Sequence, residues 1–138
     1  MKFGGRCAYC GNELPEKGWH VDHVEPIYRE SKIDRNGKGN GEFRLIQTGR
    51  CERPENENPD NYWPACAPCN LFKSVYDIET WRGELALQVE RARKQSFNFR
   101  VAERFGLVQA TGKPVVFWFE QYAATKGLTN ASYSGQSF

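Results

Sequence analysis

Residues 19–24 read Trp-His-Val-Asp-His-Val and alternate between apolar and polar positions, a pattern typical of a short β-strand. Neighbouring side chains on a strand point to opposite faces. Asp22 and His23 can therefore serve one site only if the strand ends, bulges or curls beside them. Pro26 fits an ending at this point, so we expect the strand to stop close to His23.

Two further elements are predicted around a later stretch of the chain. A turn at Asp60 and Asn61 leads into a second short strand through Trp63. After Pro64, Asn70 is expected to open a short helix that includes Lys73.

The C-terminal half carries helical periodicity. Asp77 is predicted to cap a helix that runs to about residue 95, with an apolar stripe of Ile78, Trp81, Leu85, Val89 and Ala92. A second short helix is predicted over Phe97–Phe105, with Gly106 ending it. Residues 115–120, Val-Val-Phe-Trp-Phe-Glu, are the strongest strand prediction in the chain because they are β-branched and aromatic.

Residues 28–58 form a long polar insertion between the two predicted strands. The Gly- and Asn-rich run at 36–41 is typical of a mobile turn, and Phe43–Ile46 could add a short strand. We expect the insertion to be a loop that contacts substrate rather than a folded unit. The alternative is a solvated loop without contacts.

Length and charge limit the possibilities. A chain of 138 residues with a formal net charge of +2 predicts one domain, residues 1–138, in which nucleic-acid binding would depend on local patches. The chain has no apolar run long enough to span a bilayer. Nor does an apolar stretch follow the opening Met-Lys-Phe-Gly-Gly-Arg, so a reducing, cytoplasmic location is expected.

Four of the five cysteines form two Cys-x-x-Cys motifs, Cys7-Ala-Tyr-Cys10 and Cys66-Ala-Pro-Cys69. Four thiolates in tetrahedral array suit zinc and leave no position for water, so the metal would be structural. Two disulfides are the alternative, which a reducing compartment disfavours. Cys51, the fifth cysteine, is interpreted as a free thiol.

The residues between and after these motifs suggest a second, oxygen-ligand site. His23 can act as a general base, because an unperturbed imidazole titrates near neutral pH. Asp22 and Asn70 offer hard oxygen ligands that suit Mg²⁺ or Mn²⁺. Lys73, about one helical turn beyond Asn70, could neutralise a phosphate. Together these groups have the chemistry needed to hydrolyse a phosphodiester.

The ordered combination of Cys-x-x-Cys, Val-Asp-His-Val-x-Pro, Asp-Asn and Cys-x-x-Cys-Asn-x-x-Lys resembles the HNH endonuclease family, which has the ββα-metal fold. The resemblance covers roughly residues 7–74. It implies that His23 is the general base, that Asp22 and Asn70 bind one catalytic metal, and that Asn61 orients the base. Asn70 stands where the family name has its third His, and the insertion is longer than usual.

The resemblance implies a ββα-metal core at 7–74 held by a four-cysteine zinc site. Together with the helical extension and short strand expected at 75–125 and a flexible tail at 126–138, this predicts an α+β fold. The C-terminal part is similar to small stand-alone HNH proteins of phages and bacteria, which implies a bacterial or phage-infected host cell. The implied partner is DNA, with no membrane and no small-molecule substrate, and the chain could be a monomer or a dimer. The residues expected to contact DNA are Arg29, Lys32, Arg35, Lys38 and Lys73.

The leading hypothesis is therefore a metal-dependent DNA endonuclease that leaves 5′-phosphate and 3′-hydroxyl ends. A second hypothesis is a zinc-stabilised module that binds DNA or protein without cutting. A third, a zinc hydrolase or deaminase, requires an open zinc position, which four thiolates do not leave.

Overall fold

The computed structural model of the protein describes residues 2–34 and 44–127. Over these residues the chain is a mixed α+β structure with five α-helices and two small antiparallel sheets. The predicted α+β class is thereby confirmed. The predicted turn at 36–41, the DNA-contact candidates Arg35 and Lys38, and the tail beyond residue 127 lie outside the described residues.

The first sheet contains the two strands predicted on either side of the insertion. Strand β1, His20–His23, pairs antiparallel with β4, Tyr62–Ala65. Its register places Asp22 opposite Trp63 and His23 opposite Tyr62. β1 ends at His23, as Pro26 predicted, and the Val24 N–H donates to the Asn61 carbonyl at 3.0 Å.

The described part of the insertion contains a folded β-ribbon, so the prediction of a loop rather than a folded unit was wrong. Strand β2, Tyr28–Asp34, pairs antiparallel with β3, Arg44–Glu52, and the register shifts between Arg29 and Ser31. Side chains along β2 are almost all exposed. Because neither face of the ribbon is buried, its sequence lacks the apolar and polar alternation by which half-buried strands are recognised.

The second cysteine motif leads directly into helix α1, Ala67–Lys73, which Cys66 precedes as the N-cap residue. Asn70 therefore lies in the middle of α1 and does not open it, contrary to the prediction. Pro68 occupies the first turn, where its missing N–H costs nothing and its fixed φ favours the helix. The helix thus starts three residues earlier than the position of Asn70 suggested.

The predicted helix from 77 to 95 is two helices that meet at Leu87: α2, Ile78–Ala86, and α3, Gln88–Gln95. Asp77 caps α2 as predicted, because its side chain accepts the Thr80 N–H at 2.8 Å. The apolar stripe packs through Trp81, which is buried, but Val89 on α3 is exposed. The stripe therefore anchors α2 alone.

Helix α4, Phe97–Arg104, confirms the second predicted helix. The Ser96 side chain caps it by accepting the Phe99 N–H at 3.1 Å. Gly106 follows with φ +70°, a left-handed conformation that glycine adopts without strain.

Residues 115–120 are not a strand. Helix α5, Trp118–Lys126, begins inside the segment, with Phe117 as its N-cap and a capping box that includes Glu120. The first N–H groups of the helix, those of Trp118 and Phe119, donate to carbonyls of the first cysteine motif at 2.8 Å each. This contact decides the conformation against the β propensity of the residues, which depends strongly on context.

An aromatic core joins these elements. Its buried rings are Phe3, Tyr9, Trp63, Trp81, Phe117 and Phe119. Trp81 stacks on Phe117 with ring centroids 5.2 Å apart, and Phe3 meets Trp63 edge-on at 5.0 Å. The core lies under β4 and the first cysteine motif. Within residues 2–34 and 44–127, no helix has the length and apolar character needed to cross a membrane.

Candidate metal centre and Asp-His site

The two Cys-x-x-Cys motifs meet in space. The sulfur atoms of Cys7, Cys10, Cys66 and Cys69 all lie within 4.8 Å of one another, and those of Cys10 and Cys66 are 3.8 Å apart. A tetrahedral zinc with Zn–S bonds of about 2.3 Å requires sulfurs roughly 3.8 Å apart. All five cysteines are free thiols, and Cys51 on β3 is not part of the cluster. The cluster can therefore hold a metal such as zinc.

Three thiols of the cluster influence the ionisation of one another. The hydrogen bond from Cys69 lowers the pKa of Cys7 to about 4. Burial raises the pKa of Cys10 to about 11, and the contact with Cys7 raises the pKa of Cys69. A thiolate at Cys7 thus disfavours ionisation of Cys10 and Cys69. A divalent cation at the centre would allow all four sulfurs to ionise and become ligands.

Short backbone bonds shape the first motif and attach it to the sheet. The Gly11 N–H donates to the Cys7 carbonyl at 3.1 Å, and Gly11 has φ +76°. A Cβ atom on Gly11 would lie 3.1 Å from the ring of Trp118. Both the positive φ and this close contact therefore favour glycine at this position. The Ala8 N–H donates to the Pro64 carbonyl at 2.9 Å, which joins the motif to β4.

Asp22 lies beside the cluster as a buried carboxylate with two partners on one oxygen. The Lys73 Nζ is 3.1 Å from Asp22 Oδ2, and the Tyr9 hydroxyl donates a short hydrogen bond to the same atom. Burial, together with the charge of Asp22, raises the pKa of Tyr9 well above its usual range, so its hydroxyl remains a donor. Tyr9 stands inside the first cysteine motif, and Lys73 ends the helix that follows the second.

Lys73 is fully buried, which is incompatible with the predicted phosphate contact. Its ammonium instead donates to the His23 carbonyl at 2.8 Å and neutralises Asp22. A cation buried without a carboxylate would be costly, and so would a carboxylate without a cation. The pair therefore ties α1 to β1 at the junction of Asp22 and His23.

His23 is half-buried at the end of β1 and meets groups that the sequence did not suggest. Its Nε2 is 3.2 Å from Glu57 Oε1, and its ring packs edge-on against Tyr62 with centroids 5.2 Å apart. The Tyr62 hydroxyl donates to the same Glu57 oxygen at 2.9 Å. Arg29 from β2 donates to the other oxygen, Oε2, at 3.1 Å. The hydrogen bonds from Tyr62 and His23 lower the pKa of Glu57.

Asn61 fixes the segment that follows His23. Its Nδ2 donates to the carbonyls of Glu25 and Asn56 at 2.8 and 2.9 Å, and its Oδ1 accepts the Glu25 N–H at 2.8 Å. Asn61 thus fastens the chain leaving β1 to the chain entering β4. These bonds fit a structural role, whereas orientation of a base by Asn61 stays a prediction.

Asn70 lies one helical turn before Lys73 on α1 and is half-buried. Side chains three apart on a helix share a face, and Lys73 reaches β1, so Asn70 lies on the side of α1 that is turned towards β1. Asp22 Oδ2 receives both the Tyr9 and the Lys73 contacts. Binding of Mg²⁺ or Mn²⁺ by the oxygen atoms of Asp22 and Asn70 stays a prediction.

The candidate DNA-contact residues are divided between the ribbon and the core. Lys32 is exposed on β2, whereas Arg29 is paired with Glu57 at the base of the ribbon. Glu57 and Tyr62 were missed because nothing in their sequence surroundings distinguishes them from surface polar residues. Only their distance to His23 identifies them.

Comparison of the chain with protein-family models, with curated proteins and with solved structures finds no match in any of the three.

Proposed function

We propose that the protein is a metal-dependent DNA endonuclease of the HNH type. The observation that carries the proposal is the double contact of Lys73 with the Asp22 carboxylate and the His23 carbonyl. It holds the Asp-His pair against α1, directly behind the second cysteine motif and next to Asn70. The order of strand, strand and helix around a four-cysteine cluster supports the ββα-metal core that the motifs predict.

The proposed mechanism assigns one task to each group. His23 takes a proton from the attacking water, since its imidazole is partly exposed at the end of β1. Asp22 and Asn70 would hold one Mg²⁺ or Mn²⁺. A metal bound there would offset negative charge on the phosphate and on the departing 3′ oxygen. Lys73 and Tyr9 orient the Asp22 carboxylate through their contacts with Oδ2.

The four-cysteine cluster acts as a scaffold in this proposal. Tyr9 reaches Asp22 from the first motif, and Lys73 reaches it from the helix behind the second. Zinc would fix the two motifs relative to one another and would thereby set the position of both partners of Asp22. Four sulfur ligands leave no position for water on the metal, so the third hypothesis, zinc hydrolase or deaminase chemistry, has no support here.

One observation favours the second hypothesis, a zinc-stabilised binding module. Asp22 is already neutralised by Lys73 and bonded to Tyr9, as a purely structural buried carboxylate would be. A module of this kind would bind DNA and leave it intact. The partly exposed His23 at the end of β1 has no role in such a module, which is why the nuclease is preferred.

The test is incubation of supercoiled plasmid with the zinc-loaded protein, with Mg²⁺, with Mn²⁺ and with neither. Nicked or linear product that requires the added metal supports the nuclease, and sequencing of the product ends identifies the bond that is cut. His23→Ala serves as the inactive control for contaminating nucleases. Binding of the plasmid in a mobility-shift assay without cutting under any of these conditions contradicts the nuclease and supports the binding module.

A further inference from the structure

Glu57 is the residue outside the predicted site that lies against the proposed base. It follows the ribbon in the chain and is 34 residues from His23 in sequence. One of its carboxylate oxygens faces His23 Nε2 and the Tyr62 hydroxyl, and the other faces Arg29 at the start of β2. Three donors from three segments of the chain thus converge on a single carboxylate.

We infer that Glu57 is a positioning residue: its carboxylate accepts the Nε2–H of His23, fixes the plane of the imidazole, and leaves Nδ1 to take the proton from water. The inference rests on the proposed nuclease function. The proton moves from the attacking water to Nδ1, and Glu57 itself keeps its charge throughout.

The geometry supports this role in two ways. The Nε2 atom of the imidazole is held by Glu57, and the ring makes an edge-to-face contact with Tyr62, whose hydroxyl bonds the same carboxylate oxygen. Rotation of the ring would break a contact on either side. A carboxylate that accepts one ring N–H also makes the other ring nitrogen a better proton acceptor, as it does for imidazoles that bind metals.

The competing interpretation is a surface ion pair without consequence. The Glu57 side chain is 40% exposed, and pairs of that kind contribute little to stability. A merely structural or inert Glu57 would leave the turnover rate of folded protein unchanged. A positioning Glu57 would change kcat, because His23 acts only during the chemical step.

The experiment compares Glu57→Ala and Glu57→Gln in zinc-loaded protein cutting a linear duplex at saturating Mg²⁺. Glu57→Ala should lower kcat by about 10- to 100-fold, the range for loss of a partner that orients a functional side chain. KM and the half-saturating Mg²⁺ concentration should stay within about twofold of the wild-type values, since neither quantity depends on proton transfer to His23. Glu57→Gln should recover most of kcat, because the amide oxygen still accepts the Nε2–H. Glu55→Ala, an exposed carboxylate two residues earlier, is the matched control and should resemble the wild type.

A spectroscopic measurement tests the contact without reference to cutting. The chain has two histidines, so imidazole ¹⁵N–¹H spectra contain two ring systems, and exposed His20 serves as the internal reference. The wild type and Glu57→Gln should show an Nε2–H signal for His23 that is protected from exchange, and Glu57→Ala should lose it.

The outcomes separate the two proposals. If Glu57→Ala keeps the wild-type kcat while His23→Ala is inactive, the positioning role is wrong and the nuclease stands. Absence of the protected Nε2–H signal from the wild type also overturns the role. If the wild type cuts no DNA with either metal, the proposed function fails, and the role of Glu57 fails with it.

Discussion

At the scale of single residues, we expect the buried pair of Lys73 and Asp22 to have the largest effect on stability. Both side chains are removed from water, and Tyr9 adds a third buried polar group to the same oxygen. Removing one member of a buried pair leaves an uncompensated charge, whereas replacing both members is much less costly. We therefore expect a large loss of stability when one residue of the pair is substituted, and a smaller loss when both are substituted.

Lys73→Met is expected to lower the free energy of unfolding by about 3–5 kcal/mol, because it strands the Asp22 carboxylate in the interior. The measurement is chemical denaturation of the zinc-loaded protein, with Lys17→Met in an exposed loop as the control. Adding Asp22→Asn to Lys73→Met should recover part of the loss. Wild-type stability of Lys73→Met alone would show that the pair does not form.

His23→Ala is expected to reduce the cleavage rate by roughly 10²–10⁴-fold while leaving zinc content and DNA affinity unchanged. The side chain belongs to neither metal site, and the change removes one contact to Glu57 at the edge of the sheet. Rates of duplex cleavage, together with zinc content and a mobility shift, check this. His20→Ala on the same strand is the control. Wild-type cleavage by His23→Ala would refute the mechanism.

At the scale of elements, the ribbon of β2 and β3 exposes most of its described side chains to solvent. Its two strands pair with each other, and an isolated two-stranded ribbon is marginally stable in water. Its base is tied to the site through Arg29 and Glu57. A ribbon of two strands can enter the major groove of duplex DNA, so its exposed cations are candidates for phosphate contacts.

Replacing both Lys32 and Arg50 by Gln should weaken DNA binding and leave the cleavage rate at saturating DNA nearly intact. Each phosphate contact that is lost should flatten the dependence of log K on log salt by about 0.9, so the slope should change by up to about two units. Binding at several salt concentrations measures this. The control is the double variant Arg104→Gln with Lys113→Gln, which removes two positive charges outside the ribbon. An unchanged slope in the ribbon variant would exclude phosphate contact by these two residues.

At the scale of the whole molecule, the four-cysteine cluster connects the two ends of the fold. Carbonyls of the first motif accept the first N–H groups of α5, and the Ala8 N–H of the same motif donates to β4, while the second motif leads into α1. Loss of the cluster would separate the N-terminal segment from the rest of the core. Loss of the cluster should therefore destabilise every helix that packs on the aromatic core.

Cys66→Ser is expected to unfold the protein or to precipitate it. Structural zinc contributes on the order of 10–16 kcal/mol, which is as large as the whole stability of a typical domain. Zinc should also be released as the pH falls, because protons compete for the thiolates that the metal requires. Circular dichroism with a colorimetric zinc assay checks both. A folded, metal-free Cys66→Ser protein would contradict the structural role, and Cys51→Ser is the control.

Mild chelation should separate the two metal sites. Low EDTA should stop cleavage while the circular dichroism spectrum and the zinc content stay unchanged, because oxygen ligands hold Mg²⁺ far more weakly than four thiolates hold zinc. Added Mg²⁺ should then restore cutting. Loss of structure at the same EDTA concentration as loss of activity would mean that one metal serves both purposes.

The sequence by itself determined the features that depend on neighbours a few residues apart. The spacing of Cys7 with Cys10 and of Cys66 with Cys69, the strand ending near Pro26, the cap at Asp77 and the stop at Gly106 are all local. Each follows from the reach of a turn, from a fixed φ or from a single hydrogen bond to the backbone. These features lie where the sequence pattern predicts them.

Only the tertiary structure decided the features that depend on a distant partner. Residues 115–120 have the composition of a strand, but carbonyls more than a hundred residues earlier make them begin a helix. In sequence Lys73 resembles a surface cation, but its side chain is buried in an ion pair with Asp22, 51 positions away. Glu57 acquires a role only by its approach to His23. Contacts of this kind leave no periodic trace in the chain, because each joins two residues whose own neighbours in sequence are unremarkable.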